Sequence, residues 1–122
     1  MEENLIKNKS FAFAVRIVKL YRHLAGTKKE LVLAKQLLRS GTSVGANIRE
    51  SQNAESSGDF IHKLGIAQKE CDETLYWLEL LKETDFLNEK EYLSIRKDAE
   101  ELLKILKSII LSKKNGKRKN NS

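Results

Sequence analysis

The sequence predicts an all-α protein, an up-down-up-down four-helix bundle with antiparallel neighbours and short loops. Three observations carry this. The 122 residues include no Pro and only six Gly, which favours long unbroken helices and argues against a turn-rich β fold. Apolar residues recur at spacings of three and four through four successive segments, as a buried helical face requires. The segments are separated by brief polar breaks, at Gly26-Thr27, Ser56–Asp59 and Asp85–Asn88, and short connections make consecutive helices antiparallel neighbours. A chain of this length is one domain and can bury about two thirds of its unfolded surface.

The first helix spans about residues 10–25, after an N-terminal extension of residues 1–9. Phe13, Ile17, Leu20 and Leu24 form one apolar row, and Phe11, Ala14, Val18, Tyr21 and Ala25 the adjacent one. Two rows cover about half the circumference, more than a single buried stripe. Gly26 ends the helix, and Thr27 with Glu30 reads as a capping box for the second. That helix runs to about residue 54, with Leu33, Leu37, Val44 and Ile48 on its apolar side. Ala34, Gly41 and Gly45 form a smooth lane where another backbone can come close. Ser56-Ser57-Gly58-Asp59 supplies an N-cap Ser for the third helix, with an acid in its first turn. Its row is Phe60, Leu64, Ala67, Cys71, Thr74, Leu78 and Leu81, while Tyr76, Trp77 and Leu80 lie off it as a second contact surface. Asn88 with Glu91 caps the fourth helix, whose row is Tyr92, Ile95, Ala99, Leu102, Leu106 and Ile109, with Leu103 and Ile110 beside it. The bundle domain thus covers residues 10–112. The remainder, 113–122, has no apolar residue and reads as a basic disordered tail.

Charge is unevenly spread. The net +6 includes Lys113, Lys114, Lys117, Arg118 and Lys119, which meet no acid in the tail. Residues 1–50 hold ten bases and four acids; residues 51–112 hold eight bases and thirteen acids. The first two helices are therefore basic and the last two acidic. Such polarity suits a polyanionic partner, electrostatic pairing between surfaces, or both. Nucleic-acid contact is expected from Arg16, Lys19, Arg22, Lys28, Lys29 and Lys35, and from the tail bases Lys113, Lys114, Lys117, Arg118 and Lys119. About five to eight bases on phosphates give salt-sensitive, sequence-independent affinity. The single cysteine, Cys71, excludes an internal disulfide and fits a reducing cytoplasm. The N-terminus lacks the apolar core of a signal peptide, and no apolar run approaches a membrane span.

Residues 36–50, QLLRSGTSVGANIRE, sit inside a helical pattern yet carry Gly41 and Gly45. Each interior Gly costs roughly 0.5–1 kcal/mol relative to Ala, which close helix approach or a placed polar group can offset. Gln36, Arg39 beside Ser40, Ser43, Asn47 and Glu50 fall on one stripe. They are expected to meet Glu70 and Thr74 on the third helix, with an Arg39–Glu70 ion pair at least partly buried. As structure, this network fixes helix register; as function, it lines a ligand or nucleic-acid site. Its apolar neighbours favour the structural role.

These residues also carry a resemblance. Gln36, Arg39, Ser43, Val44, Asn47, Ile48 and Glu50, followed by Ser57, Asp59, Phe60, Ala67, Glu70, Leu75 and Leu78, resemble the pattern of the 23S rRNA intervening-sequence protein family over about residues 10–112. The chain departs from that pattern at Gly45, Arg49 and Ser51. The resemblance implies a four-helix bundle assembled as a ring-shaped homopentamer. It also implies a gene lying within an rRNA insertion, or likeness to the retroelement accessory protein that partners a reverse transcriptase and binds nucleic acid. Independently of the resemblance, the surplus apolar row on helix one points to a homo-oligomer.

Enzymatic signals are thin. His23 and His62 lack metal-ligand spacing, and His62 with Asp59 reads as a solvated first turn. Glu70 and Glu73 lack the His of a carboxylate metal bundle. Cys71 lies in an apolar row and reads as an inert core thiol. No Gly-rich phosphate loop follows a strand. No catalytic residue, metal or cofactor is assigned, and no membrane partner. The expected function is a non-enzymatic, oligomeric accessory protein associated with RNA or DNA. The other reading is an interaction scaffold without nucleic acid, whose acidic helices dock a basic partner.

Overall fold

The computed structural model describes the backbone of residues 2–121 and the side chains of residues 3–116. Four helices follow one another: α1 Glu2–Gly26, α2 Val32–Ser51, α3 Ser57–Glu83 and α4 Glu89–Asn121. α1 and α3 each pack on α2 and α4, and among the described residues the diagonal pairs do not approach. The helices therefore stand at the corners of a square. Ion pairs fix their sense. Along α1, Glu3, Lys9 and Arg16 pair with Lys113, Glu101 and Asp98, so partner numbers fall as α1 numbers rise. Arg39 with Glu70 and Glu50 with Lys63 show the same reversal between α2 and α3. The predicted up-down-up-down bundle is the observed one.

The predicted rows supply the core. Phe13, Ile17 and Leu24 of α1, Leu37, Val44 and Ile48 of α2, Leu64, Ala67, Cys71, Leu78 and Leu81 of α3, and Tyr92 to Ile109 of the α4 row are all buried. The second row of α1 stays outside: Phe11 is 59% exposed, and Ala14, Val18, Tyr21 and Ala25 are half-buried. Gly41 and Gly45 act as the lane the sequence suggested. A Cβ at Gly41 would lie 2.8 Å from two carbons of Ile17, and one at Gly45 would lie 3.3 Å from the Ser10 carbonyl oxygen.

Three boundaries differ from the sequence reading. α1 starts at Glu2, not near residue 10, because Ile6 and Ser10 continue the spacing of Phe13 and Ile17 and are buried with them. Residues 1–9 are thus no loose extension. α2 starts at Val32 without a Thr27 capping box. Lys29 takes a left-handed φ of 59°, so the turn consumes residues 27–30. Glu30 then does the capping itself, its carboxylate accepting from the N–H groups of Leu33 at 2.7 Å and Ala34 at 3.1 Å. Finally, α4 runs on through Asn121, past the point where the composition turns wholly polar. Lys is a good helix former, no Pro intervenes, and elongating an existing helix is easier than nucleating one. The other two caps form as expected. Ser56 accepts from the Asp59 N–H, and Asn88 and Glu91 bond reciprocally to each other's backbone N–H.

Candidate functional site

The polar stripe on α2 is divided between a buried contact and a surface one. Ser40 and Thr74 are fully buried, and the Thr74 hydroxyl lies 2.9 Å from Ser40 Oγ and 2.8 Å from the Glu70 carbonyl. It has one proton to donate and a choice of two acceptors. Arg39 forks between Glu70 Oε2 at 3.1 Å and Glu73 Oε2 at 2.5 Å. The predicted Arg39–Glu70 pair is therefore present, with Glu70 19% exposed but Arg39 49% exposed, so it lies at the surface on the arginine side. A long side chain on the flank of a helix keeps its charged end in water. The hydrogen bond from Arg39 holds the Glu73 carboxyl below the usual carboxylate range, and its partners raise Arg39 in turn. Ser43 and Asn47 do not cross to α3. Ser43 donates to the Arg39 carbonyl and Asn47 to the Ser43 carbonyl, both within α2. Glu50 sits 4.0 Å from Lys63, and Gln36 is exposed.

The predicted basic residues do not form one surface. Antiparallel packing places the α1–α2 connection at one end of the bundle and the α4 C-terminus at the other. Lys19, Arg22, Lys28, Lys29 and Lys35 gather at the first end, all exposed or half-buried, and none is in an ion pair among the described residues. Arg16 is spoken for by Asp98 at 2.5 Å and by Ser94. Lys113 pairs with Glu3 at the far end, about 35 Å away along α1 at the helical rise. Lys114 is exposed beside it, while the side chains of Lys117, Arg118 and Lys119 lie outside the described residues.

That far end carries more bases than the sequence reading assigned. Lys7 and Arg49 meet on one groove there, from α1 and α2, while Lys104 and Lys107 lie on the outer side of α4. Lys7 and Arg49 are far apart in the sequence among ordinary helical charge, so only the antiparallel register brings them together. Two aromatic rings at this end are each faced by a cation. Arg49 lies 5.7 Å from the centroid of exposed Phe11, and Lys113 lies 5.2 Å from that of half-buried Phe60. Phe11 and Arg49 edge a groove of about 390 Å³ whose floor is small: Ala14, Gly45 and Ala46. A second hollow of about 360 Å³, edged by Glu3, Ser56, Phe60 and Lys113, opens at the start of α3.

The enzymatic candidates take ordinary places. Cys71 is buried, its Sγ 3.2 Å from the Ala99 carbonyl, and burial pushes the thiol up to about 12, far from the reactive thiolate. His23 and His62 are exposed, and Asp59 is occupied by the Glu55 N–H. Among the described residues no three His, Cys, Asp or Glu are gathered closely enough to hold a metal ion, and no helix is long and apolar enough to cross a membrane. On the opposite layer, Tyr76 is 57% exposed and meets Trp77 edge-on at 5.0 Å. The Trp77 indole N–H is buried and, among the described residues, has no acceptor within hydrogen-bond distance.

No curated protein matches the chain. Among solved structures, it is similar to a crystal structure of a protein of unknown function from the S23 ribosomal protein family of Bacteroides thetaiotaomicron. The two share 55% identity over 90% of this chain and 98% of that one, with a TM-score of 0.90. The sequence model of the family described as 23S rRNA-intervening sequence protein matches residues 2–108. That match covers most of the chain, and the chain belongs to the 23S rRNA-intervening sequence protein family.

Proposed function

We propose that this chain is a non-enzymatic, self-associating accessory protein that binds single-stranded nucleic acid, RNA foremost, at the end of the bundle where α4 terminates. The observation that carries it is the pairing of Arg49 with the Phe11 ring and of Lys113 with the Phe60 ring, with Lys7 on the Phe11 groove and Lys114 exposed beside Lys113. Bases neutralise phosphates without regard to sequence, and aromatic faces stack on unpaired bases. Lys117, Arg118 and Lys119 extend the same charge by sequence. Exposed Leu31, Val32 and Tyr76, away from that end, suit self-association, and five copies is the number that family resemblance suggests. A protein partner such as a reverse transcriptase is compatible with this role.

The test is titration of a fluorescent single-stranded RNA with the full chain, with residues 1–112 alone, and with Lys7→Gln/Arg49→Gln. Each is measured at low and at physiological salt. Binding should be salt-steep in the full chain. Each variant should bind more weakly, its salt slope flatter by roughly 0.7 for every phosphate it no longer neutralises. Lys28→Gln/Lys35→Gln, at the other end, should bind as the parent does once both are assembled. Absence of binding at low salt would overturn the proposal and leave a protein-interaction scaffold, with exposed Tyr76 on the acidic layer as its contact.

A further inference from the structure

The five bases at the α1–α2 end are left over by that reading, and their surroundings point to a different partner. At the same end of the bundle, on the opposite side of the square, the α3–α4 corner exposes Glu79, Glu83, Asp85, Glu89 and Glu91. Lys82 and Lys90 stand among them, with Lys82 shared between Glu83 at 3.7 Å and Glu89 at 3.2 Å, and Arg96, which faces the same Tyr92 ring as Lys82, is paired with Glu100. One end thus has a basic side and an acidic side at the same height. Each side also has an apolar centre. Val32 is 72% exposed and Leu31 half exposed within the basic corner. Tyr76 and Leu93, 47% exposed, lie by the acidic one. The register of Lys82 against Glu89 and Cys71 against Ala99 sets Tyr76 and Leu93 at a common level. Apolar centres with charged rims are how interfaces are built.

We infer that the basic α1–α2 corner of one copy docks the acidic α3–α4 corner of a second copy, side by side and head-to-tail. This rests on the self-association proposed above and gives it a polarity. A two-fold pairing of like corners would set bases on bases or acids on acids, which is costly. Head-to-tail contact uses two different surfaces of the same chain. Repeated with a constant rotation, it closes into a ring or continues as a filament. The second copy, not a phosphate chain, is then the counter-charge for Lys19, Arg22, Lys28, Lys29 and Lys35, while the α4 end remains free.

A charge swap tests it. Lys28→Glu/Lys35→Glu leaves three bases against two acids at the basic corner, Glu79→Lys/Glu83→Lys leaves Asp85, Glu89 and Glu91 as the acids of the other, and a third chain carries all four changes. None of the four positions is buried, so far-UV circular dichroism should match the parent. Molar mass is followed against concentration by light scattering at low salt. Each double variant alone should need about tenfold or more higher concentration to assemble. The quadruple chain should regain near-parental assembly, because the swapped positions again face opposite charge at every contact, whereas a one-to-one mixture should regain it only where the two variants alternate, which a ring of five cannot complete. Unchanged assembly of either double variant would overturn the inference. So would weakening that neither the mixture nor the quadruple chain repairs. A parent that stays monomeric at every concentration would overturn the self-association reading together with the inference. RNA binding at the α4 end is measured separately and stands or falls by itself.

Discussion

Gly41→Ala isolates the close approach of α1 and α2. Gly41 is buried in mid-helix, so Ala should favour the helix by roughly 0.5–1 kcal/mol. Against that, the new Cβ would stand 2.8 Å from both Cγ1 and Cγ2 of Ile17 and 3.1 Å from Cδ1. Ile17 is fully buried and β-branched, so its γ carbons cannot swing away without leaving the one rotamer its helix prefers. Overpacking of this kind costs about 1–3 kcal/mol. The clash wins, and a net loss of about 1–2 kcal/mol is expected.

Urea denaturation at fixed protein concentration, so that assembly is held constant, reads this as a lower midpoint. Ile17→Ala removes all three crowded carbons. In that background Gly41→Ala should turn stabilising by about 0.5–1 kcal/mol, giving a coupling near ~2 kcal/mol across the cycle. Gly45→Ala provides the contrast. Its nearest neighbour is the Ser10 carbonyl oxygen at 3.3 Å, where a few tenths of an ångström relieve the contact, so the propensity gain about cancels the crowding. Equal stabilisation by Gly41→Ala in both backgrounds would refute the idea that the glycine exists for Ile17.

The polar stripe yields two further expectations. Arg39→Ala should cost about 1 kcal/mol or less in thermal denaturation, the range of an exposed pair, and not the roughly 3–5 kcal/mol of a broken buried one. Glu73, whose pKa Arg39 lowers, contributes stability that is complete above the unfolded carboxylate value of about 4.3. That contribution fades as pH falls through the lower folded value; between about pH 5 and 3 the parent should lose slightly more stability than Glu73→Gln. Thr74→Val should be the costlier change, about 1–2 kcal/mol, because it removes the hydroxyl that Ser40 faces in the core. Thr74→Val/Ser40→Ala should cost less than the two changes summed, and strict additivity would show that the two hydroxyls do not interact.

Element order and core were legible because they depend on periodicity alone. The rows from Phe13 to Leu24 and from Leu64 to Leu81 could be counted without knowing what they pack against. The start of α1 was hidden by Ser10, a polar residue in a core position that broke the apolar row between Ile6 and Phe13. The α2 start was hidden by Lys29, since a non-glycine residue at positive φ leaves no compositional sign. Periodicity placed Arg39 on the side toward α3 correctly. It could not say whether so long a side chain ends in the core or at its rim, and the exposed guanidinium shows the second. The predicted bases divide between the two ends of the bundle for a topological reason. An even number of antiparallel helices returns the C-terminus to the end where the chain began, opposite the first loop. That inference was available from the sequence, whereas the meeting of Lys7 and Arg49 on one groove required the register.

The distance between the two ends decides how the two proposed contacts relate. At physiological ionic strength the Debye length is about 8 Å, while the ends are about 35 Å apart along α1. Charge at the loop end therefore does little to attract a strand at the α4 end, and one contact can be altered without disturbing the other. Geometry still links them. Head-to-tail copies standing side by side point every α4 terminus the same way, so a ring presents its basic ends on one face. Each copy alone offers a handful of phosphate contacts of modest affinity. Tethered on one face, they bind a strand in successive intramolecular steps, and avidity then exceeds any single affinity. Nucleic-acid affinity should accordingly depend on assembly even though no loop-end base touches the strand. Lys28→Glu/Lys35→Glu should weaken RNA binding at concentrations where it is monomeric, and match the parent where both are assembled. Equal weakening in both regimes would instead place the lysines themselves on the RNA.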